Sequence, residues 1–255
     1  MTSLTTSPAL SVRGLTKRFG DRVVLDGFDL DVNAGEVVSV LGANGSGKST
    51  MLRCLSGLTK FDAGCVSVAG REVRSGERVP EFAMIFQKMH LVPQLSVLEN
   101  VCAGALGRLS FRQAWVPRAF PTDVREEAMG CLDRVGLAER AHDRAGRLSG
   151  GQQQRVAVAR ALCQRAGVLL ADEPVSALDP AAAEQVMRLL RSLADNDRIA
   201  VAAVLHQPDL ARRHSDRVVG LTGGRITLDT APSALTDAEV DALYASDYAS
   251  EGGLV

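Results

Sequence analysis

The chain has 255 residues, of which 46% are hydrophobic, and 29 basic residues nearly balance 30 acidic ones, so the net charge is −1. A near-neutral chain has no bulk field that would attract it to nucleic acid or to an anionic membrane. The aromatic content of 4% also disfavours the stacking platforms that single-stranded nucleic acid requires. We therefore expect a soluble globular protein with no nucleic-acid partner.

Two further features argue against membrane insertion and covalent cross-linking. The longest uninterrupted apolar run, Ile199 to Leu205, is far shorter than the roughly 20 residues that span a bilayer. Any membrane role must therefore come through a partner. The five cysteines are odd in number and include no C-x-x-C pair, which argues against a disulfide framework or a zinc site and suits a reducing cytoplasm.

The first part of the chain predicts an antiparallel edge and a buried strand. Apolar and polar residues alternate in pieces from Leu10 to Val32, as in antiparallel strands. The apolar run Val37 to Leu41 predicts the next strand, and Cys65 to Val73 predicts an edge strand and turn. Phe19 lies in a loop-like stretch, where an aromatic ring could stack on a purine or belong to the core.

A glycine-rich loop follows the strand that ends at Leu41. It fits Gly-x-x-x-x-Gly-Lys-Ser, and a helix-compatible segment, Met51 to Leu58, comes next; strand, loop and helix are the context in which this pattern predicts phosphate binding. Lys48 would supply charge for the β- and γ-phosphates, and the Ser49 hydroxyl suits Mg²⁺. A mere turn would need neither group. The predicted nucleotide-binding residues are Gly42, Ala43, Asn44, Gly45, Ser46, Gly47, Lys48, Ser49 and Thr50.

The middle of the chain, from Lys88 to about Gln164, has helical patterns. An amphipathic helix is predicted from Glu126 to Val135, and another begins after Ser149, which stands at capping-box spacing from Gln152. The segment 108–125 is basic and carries aromatic residues and prolines. It is interpreted either as a solvated loop over a small apolar cluster or as a docking surface.

The last third predicts buried parallel strands and flanking helices. Continuous apolar runs, Gly167 to Ala171 and Ile199 to Leu205, are typical of strands that are buried on both faces. A helix is predicted from Pro180 to Ala194 and a hairpin around Gly223-Gly224. A closing helix from Thr236 to about Ala245 is expected to begin with its own capping box.

Four predicted strands are each followed by a polar segment or residue. These are the phosphate loop, Gln87, Asp172-Glu173 and His206. Ligands bind outside the carboxyl ends of strands in an open parallel sheet, so we expect these segments to meet at one nucleotide. Asp172 would hold Mg²⁺ directly or through water, with Ser49 and Gln87 as further candidate metal contacts. Glu173 would orient or deprotonate the attacking water. Gln87 could instead contact that water, and His206 a γ-phosphate oxygen.

These motifs resemble the ATP-binding subunit of an ABC transporter from about Leu10 to Tyr248. Leu148 to Gln152 matches the family signature, and Ser176 to Asp179 matches the D-loop. His206 matches the switch histidine and Phe19 the adenine-stacking aromatic, which favours stacking over a place in the core. The resemblance implies an α/β P-loop NTPase core with an antiparallel β edge subdomain and an inserted α-helical subdomain. The expected boundaries are a single domain at 10–248, with core segments 10–87 and 165–248, helical insert 88–164, and flexible tails 1–9 and 249–255.

The resemblance also implies how the protein assembles. In this family two cassettes enclose two ATP molecules with Mg²⁺, each giving its signature to the other's phosphate loop. We therefore expect a homodimer, or a heterodimer with a like chain. The chain would bind integral membrane permease subunits as a peripheral protein on the cytoplasmic face of the inner membrane, and would act indirectly with a substrate-binding protein. The signature residues expected to contact ATP across the dimer are Ser149, Gly150, Gly151 and Gln152, and Asp179 of the D-loop is a further expected nucleotide-binding residue.

Within the family, the chain is most similar to phosphonate importer ATPases. The similar stretches are Leu95 to Val101, Gly104 to Arg108 and Leu205 to Asp209. The expected function is ATP hydrolysis that drives phosphonate uptake, with phosphate and polar amino acids as alternative cargoes. A soluble ABC ATPase acting on DNA or the ribosome is disfavoured, because the chain has one cassette and no long heptad repeat. A non-catalytic regulatory cassette is disfavoured by the full set of catalytic residue types.

Overall fold

The computed structural model describes residues 7–109 and 120–251, with side chains through residue 245. The predicted segment 108–125 therefore lies partly outside the described residues, and both interpretations of it stay predictions. The strands are β1 (Leu10–Phe19), β2 (Arg22–Val32), β3 (Val37–Leu41), β4 (Ala63–Val68), β5 (Arg71–Val73), β6 (Phe82–Ile85), β7 (Val168–Asp172), β8 (Ala200–Val204), β9 (Arg217–Thr222) and β10 (Arg225–Thr230). The helices are α1 (Lys48–Leu55), α2 (Val97–Cys102), α3 (Thr122–Arg134), α4 (Gly150–Cys163), α5 (Pro180–Asp197), α6 (Pro208–His214) and α7 (Asp237–Glu251).

The strands form two sheets. Four antiparallel strands in the order β2-β1-β4-β5 make the edge sheet, and six strands in the order β10-β9-β3-β8-β7-β6 make the central sheet. Strands β9 to β6 of the central sheet are parallel, and β10 closes it as an antiparallel hairpin with β9. This arrangement confirms the predicted α/β core with an antiparallel edge.

The central strands are buried on both faces, which explains their continuous apolar sequences. Side chains alternate across a strand, so β3 contributes Val37 and Leu41 to one core and Val38 and Val40 to the other. The first core is completed by α2 to α5, and the second by α1 and the edge sheet. Each central strand is therefore held by two hydrophobic layers at once.

Helices α2, α3 and α4 lie between β6 and β7 in sequence and pack against one another. They correspond to the helical insert that the sequence predicts, although its boundaries at 88 and 164 stay a prediction. Helix α4 begins with the predicted capping box, in which Ser149 N–H donates to Gln152 Oε1 at 3.0 Å and Gln152 N–H to Ser149 Oγ at 3.4 Å.

Some element boundaries differ from prediction because caps and backbone turns determine them. Helix α1 begins at Lys48 rather than Met51, directly after Gly47 with φ 113°. Strand β7 continues through Asp172, because its ladder with β8 extends to that residue.

No helix in the described ranges is long and apolar enough to cross a membrane. All five cysteines are free thiols.

Candidate functional site

The four strands that end at polar residues lie side by side in the order β3-β8-β7-β6, all parallel. Their carboxyl ends therefore meet at one edge of the central sheet. The phosphate loop follows β3, His206 follows β8, Asp172 and Glu173 end β7, and Gln87 follows β6. Residues far apart in sequence are thus brought into hydrogen-bonding distance.

The phosphate loop needs glycine at two positions, because a Cβ there would collide with backbone atoms of neighbouring strands. Gly42 has φ 145°, and a Cβ there would lie 2.3 Å from the Leu221 carbonyl oxygen. Gly47 has φ 113°, and its Cβ would lie 2.8 Å from the Val24 carbonyl oxygen. A side chain at either position would require the backbone to move. The loop is therefore held tightly between β9 and β2.

Lys48 and Ser46 give the loop its polar interior. The buried Lys48 ammonium donates to the carbonyl oxygens of Gly42 at 2.7 Å and Ala43 at 2.8 Å. The buried Ser46 hydroxyl has no hydrogen-bond partner within the described residues, and no side chain caps the N-terminus of α1 at Gly47. A cationic loop with a spare hydroxyl and uncapped helical N–H groups suits a phosphate group.

Ser49 and Asp172 form the pair expected at a magnesium site. Ser49 Oγ donates to Asp172 Oδ1 at 2.9 Å. Burial of Asp172 raises the pKa of its carboxyl above the ordinary value, although the Ser49 hydrogen bond opposes the shift. A nearby divalent cation would offset the cost of burying this charge. Hydroxyl and carboxylate oxygens are also the ligands that Mg²⁺ prefers, so the two residues fit the ion.

Glu173 is hydrogen-bonded to residues that follow two other strands, β6 and β8. Its Oε2 accepts from Gln87 Nε2 at 2.7 Å, and its Oε1 lies 2.6 Å from His206 Nε2. Gln87 Nε2 also reaches Ser176 Oγ at 3.4 Å. Glu173 has φ 49°, a left-handed conformation that costs a non-glycine residue of order 1–3 kcal/mol and that clusters at functional sites. His206 thus contacts Glu173 here, and its predicted contact with a γ-phosphate stays a prediction.

A cleft of about 290 Å³ opens above the phosphate loop. Phe19 lies at its edge with 54% of its surface exposed, which excludes a place in the core. Lys17 Nζ lies 4.9 Å from the Phe19 ring centroid and 3.2 Å from Asp62 Oδ1, so the buried Lys17 makes a cation–π contact with the exposed ring. Further residues that line the cleft are Arg22, Val24, Asn44, Gly45, Gly47, Lys48, Ser49, Thr50 and Glu173.

The signature residues and Asp179 do not line this cleft. Ser149 and Gly150 are exposed at the start of α4. The Asp179 carboxylate caps α5 by accepting from the N–H groups of Ala181 at 3.1 Å and Ala182 at 3.0 Å. The predicted contact of the signature with ATP of a second cassette and the predicted nucleotide contact of Asp179 both stay predictions.

Sequence reasoning missed Arg22, Val24 and Lys17 around the cleft. Arg22 and Val24 belong to β2, which pairs with β1 and so lies beside Phe19. The pairing Phe19↔Arg22 across a tight turn is a local signal that could have indicated Arg22. Lys17 stands two positions before Phe19 on β1, but only the fold shows that Lys17 is buried.

Comparisons with known proteins agree with this geometry. The family model described as ABC transporter matches residues 25–176. The phosphonates import ATP-binding protein PhnC of Frankia casuarinae is 50% identical over 234 residues, covering 89% of this chain and 92% of that protein. The phosphate-import ATP-binding protein PhnC of Mycolicibacterium smegmatis is 47% identical, covering 91% and 90%. A bacterial ABC transporter cassette solved as a dimer has a TM-score of 0.75 and 31% identity, covering 89% of this chain and all of that one.

These matches cover most of the chain and agree with the fold and with the phosphate loop at the carboxyl edge of the sheet. The chain therefore belongs to the ABC transporter family and has the architecture of its ATP-binding cassette.

Proposed function

We propose that this protein is the ATP-binding subunit of an ABC importer and hydrolyses ATP to drive phosphonate uptake through separate membrane subunits. The observation that carries the proposal is the cluster at the carboxyl edge of the central sheet. There Lys48 and Ser49 of the phosphate loop lie next to the Asp172–Glu173 pair, with Ser49 Oγ 2.9 Å from Asp172 Oδ1. A phosphate-binding loop, an oxygen-rich cation site and a carboxylate base are the parts that nucleotide hydrolysis needs.

In the proposed reaction, Glu173 acts as the general base. It accepts a proton from a water that attacks the γ-phosphorus, while the bond from that phosphorus to the leaving oxygen of ADP breaks. The hydrogen bonds of Glu173 with Gln87 and His206 hold its carboxylate in place. Lys48 stabilises the charge that develops on the phosphate oxygens. Mg²⁺ held by Ser49 and Asp172 would supply charge neutralisation at the β- and γ-phosphates.

We propose that two cassettes are needed for turnover. Ser149 and Gly150 stand exposed at the N-terminus of the fourteen-residue helix α4, outside the cleft of their own chain. A helix N-terminus favours an anion, which supports a role against ATP bound by a second copy or a like chain. The relative that was solved as a dimer is consistent with this arrangement.

The permease is proposed to dock in a groove between the core and the helical insert. This groove has a volume of about 440 Å³, and its lining combines apolar side chains such as Phe82, Met84 and Phe86 with basic ones such as Arg78 and Arg160. Phe86 directly precedes Gln87, so a partner seated here would adjoin the Glu173 hydrogen bond. This placement supports transmission of the hydrolysis cycle to membrane subunits, and with it a peripheral location on the cytoplasmic face of the inner membrane. A substrate-binding protein would act on the other side.

The cargo is proposed to be a phosphonate because the Frankia casuarinae relative carries that name at 50% identity. Phosphate is the second candidate, favoured by the Mycolicibacterium smegmatis relative at 47% identity. Both cargoes are oxyanions of phosphorus. The ATPase subunit lies on the permease and does not contact the cargo, so uptake has to be measured directly.

The shared-site proposal is tested by mixing two inactive variants. Lys48→Ala should lose ATP binding, and Ser149→Arg should bind ATP but not hydrolyse it. In a mixed dimer one site combines both defects and the other combines neither. Random pairing of equal amounts should therefore restore about a quarter of wild-type phosphate release if sites act independently. No recovery would contradict shared sites, and unchanged nucleotide binding by Lys48→Ala would contradict the phosphate-loop assignment.

The cargo is tested by growth of a strain that lacks this chain. On methylphosphonate as sole phosphorus source, the strain should fail to grow, and the wild-type chain but not Lys48→Ala should restore growth. Uptake of labelled phosphate should be unchanged by the deletion. Normal growth on the phosphonate with lost phosphate uptake would transfer the assignment to phosphate.

A further inference from the structure

Arg22 is a cation at the mouth of the nucleotide cleft. It begins β2, directly after the turn that follows Phe19, and pairs with Phe19 across the two strands. It lines the same cleft as Phe19 and the phosphate loop. Its Nη2 atom lies 3.8 Å from the position that a Cβ of Gly45 would occupy. The guanidinium therefore lies over the tip of the phosphate loop, between the aromatic ring and the loop backbone.

Among the described residues, no carboxylate forms an ion pair with the Arg22 guanidinium. Several exposed arginines of this chain are held in ion pairs, as Arg13 is with Asp31 at 2.6 Å and Arg225 with Asp26 at 2.6 Å. Across the described residues, no ion pair or hydrogen bond is found for the Arg22 side chain, although Asp21 adjoins it in sequence. An exposed arginine on a cleft edge thus retains all its donors for a ligand.

The phosphate loop, Gly42 to Thr50, carries a single charged side chain, that of Lys48. Lys48 is buried and directed to the carbonyl oxygens of Gly42 and Ala43 at the base of the cleft. A nucleotide carries negative charge along its whole phosphate chain, whereas this ammonium is a single point charge. A planar guanidinium with several donors is well suited to phosphate oxygens.

We propose that Arg22 is a further nucleotide-binding residue, whose guanidinium contacts the phosphate chain between the base at Phe19 and the end held by Lys48. This inference rests on the proposed function and adds a residue to its binding site. It makes Arg22 a residue that strengthens binding of ADP as well as ATP, because both nucleotides have phosphates in that region. The contact between Arg22 and the phosphate chain forms within one chain and does not need the second cassette.

The test compares Arg22→Ala and Arg22→Lys with Arg18→Ala as a matched control. Arg18 is an exposed arginine on the other side of Phe19, is outside the lining of the cleft, and uses its backbone N–H to donate to Asp62. Dissociation constants of ADP, ATP and adenosine are measured by calorimetry on the full chain. Loss of one charge-assisted hydrogen bond predicts about tenfold weaker binding of ADP and ATP by Arg22→Ala. Arg22→Lys should retain part of that affinity.

Adenosine binding should be the same in wild type and Arg22→Ala, and the control should bind all three ligands like wild type. The melting temperature of the nucleotide-free variant should also equal that of wild type, since the Arg22 side chain has no hydrogen bond or ion pair within the described residues, and its backbone pairing with Phe19 does not depend on the side chain. Unchanged ADP binding would overturn the inference, and a loss confined to ATP would do so too, because it would indicate a contact with the partner cassette or the γ-phosphate alone. Wild-type protein that binds no nucleotide would instead refute the proposed function itself.

Discussion

The substitution Glu173→Gln separates the chemistry of the site from its architecture. Glutamine has nearly the same shape as glutamate and retains one carbonyl oxygen. That oxygen can accept from Gln87 or His206, which lie 2.7 Å and 2.6 Å from the two carboxylate oxygens. The left-handed backbone at φ 49° is strained for both residues alike. The fold should therefore persist, while the negative charge and the proton acceptor are lost.

The expected magnitude follows from the role of a general base. Such a group contributes about 10²–10⁴ in rate, equivalent to roughly 2.7–5.5 kcal/mol of barrier. ATP affinity should change little, because the proposed phosphate ligands are Lys48 and the loop N–H groups, which this substitution leaves in place. With hydrolysis blocked and binding intact, the variant should accumulate as an ATP-bound dimer.

The assay measures steady-state phosphate release, ATP affinity and molecular mass in the presence of ATP. Glu184→Gln is the matched control, because Glu184 Oε1 also pairs with a histidine, His214 Nε2, at 2.9 Å but lies outside the cleft. This control should retain wild-type turnover. Wild-type turnover by Glu173→Gln would refute the base role, and loss of ATP binding would show that Glu173 acts on the nucleotide rather than on water.

Two further predictions concern stability. Leu170→Ala should lower the free energy of unfolding by about 2–5 kcal/mol in denaturant titration, since Leu170 is fully buried in β7; a loss below 1 kcal/mol would contradict tight packing there. Partial burial opposes ionisation of Glu127, but hydrogen bonds from Arg165 and Arg108 outweigh it and hold the pKa of its carboxyl below the ordinary 4.5. The contribution of ionised Glu127 to the free energy of unfolding is therefore present above pH 4.5 and is lost as the pH falls through the lower pKa of the folded state. Glu127→Gln should be less stable than wild type at neutral pH, with the difference vanishing in acid; a difference independent of pH would exclude this linkage.

Local patterns in the sequence were sufficient for much of the fold. Continuous apolar runs predicted β7 and β8, because strands buried on both faces must be apolar at every position. Spacing predicted the capping box of α4, since its two hydrogen bonds join residues only three apart. Alternation of apolar and polar residues from Leu10 to Val32 predicted the antiparallel strands, and helical patterns predicted the middle helices. The resemblance to a known family added that these form an edge subdomain and an inserted subdomain.

The functional contacts depend on how distant strands are ordered in the sheet. The sequence by itself determined that polar residues follow β3, β6, β7 and β8, and hence where a nucleotide could bind. Only the tertiary structure decided that Glu173 contacts both Gln87 and His206, and that Arg22 lies over the phosphate loop. The reason is physical: a cap or a strand period is set by a few neighbouring residues. A contact between the ends of β6, β7 and β8 exists only once those strands have paired in that order.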